Sequence, residues 1–260
     1  MLNIIEDLGL WVLELFDYIG GIFLLFYNTV LQIFKGKINI NLTIDQMAIL
    51  GVNSLSIVIL TITFAGMVIS LQLAQLAVKY GFGAFVGGGV AISMFREFGP
   101  MLTAIVVAGR AGSAITAEIG SMKVTEQVDA LEAMAVNPVK YLVVPRFIAC
   151  VITIPMLCMF ACVCGILGGL LVANATAGIL PKAFLDSIKN IVIMRDFWAG
   201  TFKAFVFAAE IALISCYQGL KTTGGAAGVG TATTGSVVYS IILIFISNYF
   251  LSSLLFMSGS

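Results

Sequence analysis

Residues 109–146 read GRAGSAITAEIGSMKVTEQVDALEAMAVNPVKYLVVPR, and this stretch is the most informative in the chain because it lies between long apolar runs. It is compact and charged in a chain that is otherwise mostly apolar. Its charged residues are Arg110, Glu118, Lys123, Glu126, Asp129, Glu132, Lys140 and Arg146. A charged, partly helical loop between membrane spans indicates a docking surface for a soluble partner. The sequence therefore favours one component of a membrane assembly over a self-contained catalyst.

The composition predicts a polytopic, all-α membrane protein. Of the 260 residues, 60% are hydrophobic and 10% are charged, and the mean hydropathy is +1.11. A soluble domain carries about 25% charged residues. The formal net charge is zero, so nothing indicates a nucleic-acid partner. The chain has no His, which removes the commonest general base and the commonest metal ligand.

Five membrane spans are expected, since a span needs about 20 apolar residues. Three segments are long enough and contain no charge: 46–78, 147–181 and 222–260. Two further candidates are interrupted, by Arg110 in one case and by Lys203 and Glu210 in the other. The predicted spans are 48–76, 97–117, 143–172, 197–219 and 235–257. We expect residues 46–260 to form this five-span core within a single domain of residues 1–260.

The first 40 residues are predicted to form interfacial or partly inserted helices. The acids Glu6, Asp7, Glu14 and Asp17 mark one stripe, and apolar residues fill the other positions, which is typical of an amphipathic helix on a membrane surface. The following run, 18–34, is apolar but short for a span. We expect a shallow element there, with a full crossing as the alternative.

Lys and Arg near the span ends predict the orientation, because cytoplasmic loops carry more of them. The side with the 109–146 loop has seven such residues and the opposite side has four. This places the charged loop in the cytoplasm and the C-terminus outside. The connection 173–196 is predicted to hold a short helix on the outer, periplasmic side.

The segment 120–134 is predicted to be a short cytoplasmic helix with two faces. Its acids Glu126, Asp129 and Glu132 follow at intervals of three, and apolar residues occupy another face. Such a helix can press its apolar face into a groove of a soluble partner. The alternative is a merely solvated loop.

Four charged residues in or near the spans are candidate lipid-pocket residues, because charge inside a membrane is costly and marks function by default. Arg96 and Glu97 precede Gly99–Pro100, and we expect them at the mouth of the second span. Either they line a polar rim for a lipid head group, or they simply reach water. Lys203 and Glu210 lie on one face of the fourth span but about 10 Å apart, so each needs another partner or a water-filled cavity.

The five cysteines and the Gly-rich segment 219–236 have unremarkable interpretations. The cysteines lie in apolar runs without His, which favours small buried hydrophobes over metal ligands. The segment GLKTTGGAAGVGTATTGS contains no G-x-x-x-x-G-K-[ST] motif. We therefore expect no metal, no cofactor and no ATPase site on this chain.

The run 109–146, preceded by REFGPMLTAIVVAGR at 96–110, closely resembles the MlaE/YrbE permease family. The resemblance implies a permease subunit of an ABC transporter in a bacterial inner membrane, moving phospholipid between the inner and outer membranes and so maintaining outer-membrane asymmetry. It implies a homodimer that works with cytoplasmic ATPase subunits, which hold ATP and Mg²⁺, with MCE-domain subunits and with a small STAS-domain protein. The family's coupling helix maps onto about Ser121–Met134, and Arg96 and Glu97 match its polar pocket rim. The coupling residues are then expected to be Ser121, Lys123, Glu126, Asp129, Glu132 and Met134.

Two other function classes stay open: an ion-coupled carrier that works alone, and a non-transporting membrane anchor for a partner complex. An ion-coupled carrier usually needs acids deep in several spans. Here Glu210 is the one clearly deep acid, which argues against that class.

Overall fold

The computed structural model describes residues 2–36 and 38–256, except for the side chains of residues 2–11, 14 and 15. This part of the chain consists of helices joined by short connections and contains no strand, which confirms the all-α fold. Several helices run on through π turns without a break. The continuous helices are α1 Leu2–Lys35, α2 Ile40–Lys79, α3 Gly83–Val124, α4 Gln127–Ala133, α5 Val139–Ala177, α6 Pro181–Ile191, α7 Met194–Leu220 and α8 Gly225–Phe256.

Six stretches of the described chain are long and apolar enough to cross a membrane. Five of them are α2, α3, α5, α7 and α8, which correspond in order to the five expected spans. The sixth is Phe16–Lys35 within α1. The structure is therefore that of a multi-pass membrane protein.

The contacts of α1 bear on whether its apolar half crosses. The ring of Tyr18 packs edge-on against Tyr217, four residues before Lys221. Tyr18 begins the apolar half of α1. At the C-terminal end of that half, Gly36 lies against the side chain of Lys140, at the start of α5. Both contacts fall on the side of the charged loop, which supports an oblique helix. The interfacial placement of residues 1–40 stays a prediction, and the stripe of Glu6, Asp7 and Glu14 lies outside the described side chains.

Helix α3 is much longer than the span expected at 97–117. It has 42 residues, or about 63 Å, whereas the hydrocarbon core is about 30 Å thick. The prediction began this span too late because Gly99–Pro100 resembles a helix start. The helix instead accommodates Pro100 just after a π turn at Met94–Phe98. Its opposite end lies level with the ends of α5 and α7 and leads into the charged loop.

Helices α2 and α5 form the tightest pair of the core. Gly66 faces Gly165 so closely that a Cβ on Gly66 would collide with the Gly165 carbonyl. Ser70 Oγ donates a hydrogen bond to the carbonyl of Gly169 at 2.6 Å. Small residues allow this close approach of two helix backbones. The glycines of α5 therefore serve helix packing.

The predicted outer helix is present as α6, and it packs on the start of α3. Phe184 is fully buried, and its backbone lies against Gly87. Ser187 Oγ accepts a hydrogen bond from the N–H of Gly88 at 3.0 Å. The glycines at the start of α3 thus let a horizontal helix close over that end of the bundle.

The coupling segment is not the single helix Ser121–Met134 that the resemblance implied. Helix α3 ends at Val124, a turn follows, and α4 spans Gln127–Ala133. Glu126 forms this turn with φ +61°, a left-handed conformation that is uncommon for residues other than Gly. The break could not be predicted from the sequence, because no Gly or Pro lies at residues 125–126.

Four cysteines, Cys150, Cys158, Cys162 and Cys216, are buried in the apolar core, and Cys164 is half-buried. This agrees with their expected role as small hydrophobes.

Candidate functional site: a charged cluster between three spans

Arg96 and Glu97 lie inside α3, within the π turn at Met94–Phe98, and not at the start of a span as expected. Pro100 has no N–H, so it cannot donate the α-helical hydrogen bond to the carbonyl of Arg96. The ε-ammonium of Lys203, on α7, donates to that carbonyl instead, at 2.8 Å. The proline thus creates an acceptor inside the membrane, and a lysine from a neighbouring helix satisfies it.

Lys203 is the centre of the cluster, and its side chain is fully buried. Its Nζ lies 2.9 Å from Glu97 Oε1. It also donates to Ser252 Oγ at 2.6 Å and to Asn248 Oδ1 at 3.3 Å, both on α8. A buried charge is tolerated only when it is paired and hydrogen-bonded. The surroundings of Lys203 meet both conditions.

Glu97 completes the link between α3, α7 and α8. It accepts hydrogen bonds from Asn248 Nδ2 at 3.0 Å and from Ser252 Oγ at 2.8 Å. Its side chain is 37% exposed, so one edge of the carboxylate faces outward. The three helices are therefore tied together by one polar network that opens on one side.

Arg96 pairs with Asp196, a residue that the sequence analysis did not single out. Arg96 Nε donates to Asp196 Oδ1 at 2.7 Å, and Asp196 is fully buried. The other carboxylate oxygen accepts a hydrogen bond from the N–H of Ile193 at 3.1 Å, which caps the first turn of α7. An acid in the first turn of a span could have signalled this double role.

The outer edge of the Arg96 guanidinium is partly exposed among the described residues. The group lies over the ring of Phe256, 4.6 Å from the ring centroid. Its side chain is 31% exposed, and its two Nη atoms donate no hydrogen bond to the described residues. Guanidinium groups bind phosphate through paired N–H groups of this kind. The cluster thus presents a positively charged edge beside an aromatic ring.

Glu210 is not part of this cluster. Its carboxylate accepts a hydrogen bond from Ser247 Oγ of α8 at 3.0 Å. Lys203, two turns away on α7, points to Glu97 instead. Lys203 and Glu210 thus contact different groups, and Glu210 has no ionic partner among the described residues.

The outward face of α8 beside the cluster is apolar and open. Its exposed residues are Val238, Tyr239, Ile242, Phe245, Ile246, Tyr249, Phe250 and Leu254. The inward face carries Ser236, Ser240, Ser247, Asn248 and Ser252. A polar network therefore borders a broad apolar surface.

The expected coupling residues fall on three elements. Ser121 and Lys123 end α3, Glu126 forms the turn, Asp129 and Glu132 lie on α4, and Met134 follows it. Lys123 Nζ contacts Asp129 Oδ1 at 2.6 Å and so folds α4 back towards α3. Val128, which was expected on a partner-facing side, is buried within the chain. The surface open to a partner is thus formed by the acids and by Met134, which is 66% exposed.

The end of α3, the turn at Glu126 and α4 together form what we call the docking unit. A second ion pair connects this docking unit to the core. Arg146 is almost fully buried, and its Nη2 lies 2.8 Å from Glu118 Oε1 of α3. Its Nη1 donates to the carbonyl of Leu142 at 2.7 Å. The pair joins the C-terminal end of α3 to the start of α5.

These features define a polytopic membrane protein with a polar site inside its helical bundle and a charged docking unit on one side. The chain belongs to the MlaE permease family, whose sequence pattern matches residues 43–254. It is 45% identical over 251 residues to a probable ABC transporter permease protein of Synechocystis, covering 96% of this chain and 94% of the relative. It is 40% identical over 256 residues to a probable ABC transporter permease protein of Rickettsia typhi, covering 98% and 99%.

A further relative is the chloroplastic protein TRIGALACTOSYLDIACYLGLYCEROL 1 of Arabidopsis thaliana, 40% identical over 229 residues, which cover 88% of this chain and 65% of the relative. The chain is therefore a multi-pass membrane permease of the ABC transporter class, consistent with a bacterial inner membrane, and the resemblance drawn from residues 96–146 is confirmed.

Proposed function

We propose that this chain is the permease subunit of an ATP-driven transporter that moves phospholipid between the inner and outer membranes. The observation that carries the proposal is the open edge of Arg96 beside the apolar face of α8. A phospholipid has an anionic phosphate and apolar tails, so its site needs an apolar wall with a few charges at one end. The name of the Arabidopsis relative contains that of a lipid, which supports a lipid substrate.

The chemistry of the cluster suits reversible phosphate binding. Asp196 occupies Arg96 Nε and fixes the plane of the guanidinium, which leaves the Nη atoms for a phosphate. Lys203 is neutralised by Glu97 and buried, so it acts as support and not as a second phosphate ligand. One partly exposed cation can release its ligand more easily than several buried ones.

ATP hydrolysis belongs to a partner in this proposal. The chain contains no phosphate-binding loop motif, so ATP and Mg²⁺ would be held by cytoplasmic ATPase subunits. An open groove beside α4, lined by Lys123, Val128, Glu132, Pro138 and Leu220 among others, is the proposed place for an ATPase element. MCE-domain subunits and a STAS-domain protein complete the proposed assembly.

A second copy of the chain is the proposed cover for the outward face of α8. Of this helix, only 11% of the membrane-length window is buried within the chain. Two such faces would enclose a cavity for lipid tails between them. Crosslinking of Phe250→Cys in a Cys-free background should then yield a dimer, whereas Leu167→Cys on α5 should yield less.

The test is lipid transfer by the purified complex in liposomes, with a fluorescent phospholipid and with or without ATP. We expect ATP-dependent transfer, loss of about tenfold or more of it in Arg96→Ala, and normal transfer in Lys189→Ala on the exposed side of α6. The purified chain alone should hydrolyse no ATP. Transfer driven by an ion gradient without ATP would favour the carrier alternative, and full transfer by Arg96→Ala would refute the proposed site.

A further inference from the structure

A second polar cavity lies on the side of the charged loop, far from the Arg96 cluster. It has a volume of about 560 Å³ and is formed where the end of α1, the start of α2 and the start of α5 meet. Its polar lining consists of Gln32, Asn39, Asn137, Lys140 and Tyr141. Arg96 lies 28 residues before the end of α3, or about 42 Å along that helix. The two sites are therefore on opposite sides of the bundle.

The two asparagines of this cavity each cap the start of a helix, and this orients their side chains. The caps use the side-chain carbonyl oxygen and leave the NH₂ donors unused. Asn39 Oδ1 accepts the N–H of Leu42 at 3.3 Å, at the first turn of α2. Asn137 Oδ1 accepts the N–H of Val139 at 2.9 Å, at the first turn of α5. In each case the side-chain carbonyl is occupied and the NH₂ group remains as a donor. Neither NH₂ group donates to another described residue.

Lys140 supplies a positive charge to the same cavity. Its side chain is exposed and rests against Gly36 at the end of α1. It makes no ion pair with any residue in 2–36 or 38–256 whose side chain is described. One cation and two side-chain amides with unused donors therefore line the same cavity, which is the chemistry that an anion requires.

An apolar groove on α2 shows what kind of anion fits. The groove has a volume of about 590 Å³ and is lined by Ile38, Ile40, Thr43, Ile44, Met47 and Ile148. Asn39, a ligand of the polar cavity, stands between Ile38 and Ile40 in the chain. The start of α2 therefore presents amide donors to one cavity and aliphatic side chains to the neighbouring groove. A ligand with a charged head and an apolar chain satisfies both.

We propose that this cavity binds the head group of an anionic phospholipid from the membrane leaflet on the side of the charged loop, with an acyl chain in the Ile40–Ile44 groove. The lipid would bridge α1, α2 and α5 and so fix the oblique helix against the docking unit. This lipid stays bound and is not transported, and its site is separate from the Arg96 cluster. The inference does not depend on the proposed function.

The test is native mass spectrometry of the purified full-length chain in a neutral detergent, titrated with dioleoylphosphatidylglycerol. An Arg96→Ala background removes lipid held at the other cluster. In Asn39→Asp the side chain still caps α2 but places a negative charge where the phosphate would lie. Lys140→Gln removes the cation. Lys182→Gln, an exposed lysine on α6, is the matched control.

We expect each test variant to bind dioleoylphosphatidylglycerol about fivefold more weakly, and the double variant roughly 25-fold more weakly, since one basic residue near a membrane surface contributes about that factor. Lys182→Gln should bind as the background does. Unchanged size-exclusion profiles will show that the variants fold. Dioleoylphosphatidylcholine should bind more weakly, and millimolar inorganic phosphate should not displace the lipid. Equal binding by Asn39→Asp, equal binding of the zwitterionic lipid, or displacement by phosphate would each overturn the proposal.

Discussion

The Lys203 ε-ammonium lies 2.9 Å from Glu97 Oε1, and this pair joins two helices across 106 positions of sequence. The burial of the two partners is unequal, because Lys203 is fully buried whereas Glu97 is 37% exposed. Glu97 is the only carboxylate that forms an ion pair with Lys203 among the described residues. Loss of Glu97 therefore leaves a buried positive charge without its counter-ion.

The first prediction follows from the difference in burial between Lys203 and Glu97. Glu97→Ala should destabilise the chain by about 3–5 kcal/mol, because it leaves the buried ammonium of Lys203 without a counter-ion. The double variant Glu97→Ala/Lys203→Met should recover much of this loss, since it removes both charges. Thermal unfolding in detergent measures both variants. A double variant that is no more stable than Glu97→Ala would show that the cost does not come from the stranded charge.

The second prediction concerns Asp196 as a positioning residue for Arg96. Asp196→Asn keeps one oxygen for the N–H of Ile193 but removes the negative charge beside Arg96 Nε. We expect lipid transfer to fall about tenfold, as for loss of one charged hydrogen bond, with the complex still assembled. Transfer assays beside co-purification of the partners measure this. Lys189→Gln on the exposed side of α6 is the control, and an equal loss in it would argue against a specific role for Asp196.

The third prediction concerns the docking unit. Glu126→Lys combined with Asp129→Lys should strongly weaken ATPase association, because it reverses two exposed charges and breaks the Lys123–Asp129 contact. Lys at position 126 is also an L-residue with a Cβ, so the left-handed turn is no more strained than before. Co-purification from membranes measures the association. Asp186→Lys on α6 should leave it unchanged, and unchanged association in the double variant would mean that the contact lies elsewhere.

The fourth prediction concerns the ion pair between Glu118 and Arg146. Glu118→Gln removes the counter-charge of a nearly fully buried guanidinium and should lower stability by about 1–3 kcal/mol. It should also reduce the transfer per ATP hydrolysed, because the docking unit is then less firmly joined to α5. Thermal unfolding and the ratio of transfer to hydrolysis measure these two effects. Glu132→Gln on exposed α4 should not lower the unfolding temperature, and a wild-type ratio in Glu118→Gln would exclude the coupling role.

The sequence predicted the core spans well because apolar length is a local property. It also indicated the adjacent pair Arg96 and Glu97, and Lys203, since these charges lie in apolar surroundings. It missed Asp196, Asn248 and Ser252, whose roles depend on contacts between distant helices. The break at Glu126 was missed for a different reason, because a residue other than Gly adopts the left-handed conformation there.

The close approach of Gly66 and Gly165 sets how the bundle can move. Two backbones in direct contact have no side chains that could change rotamer to accommodate sliding, so α2 and α5 should behave as one rigid strut. Helix α8 is held mainly through short hydroxyl and amide side chains and through Arg195, which donates to the Leu255 carbonyl, and few of its residues are fully buried within the chain. Any opening that admits a two-tailed molecule should therefore occur by α8 swinging away from a stationary strut, with the Asn248 and Ser252 contacts acting as its latch.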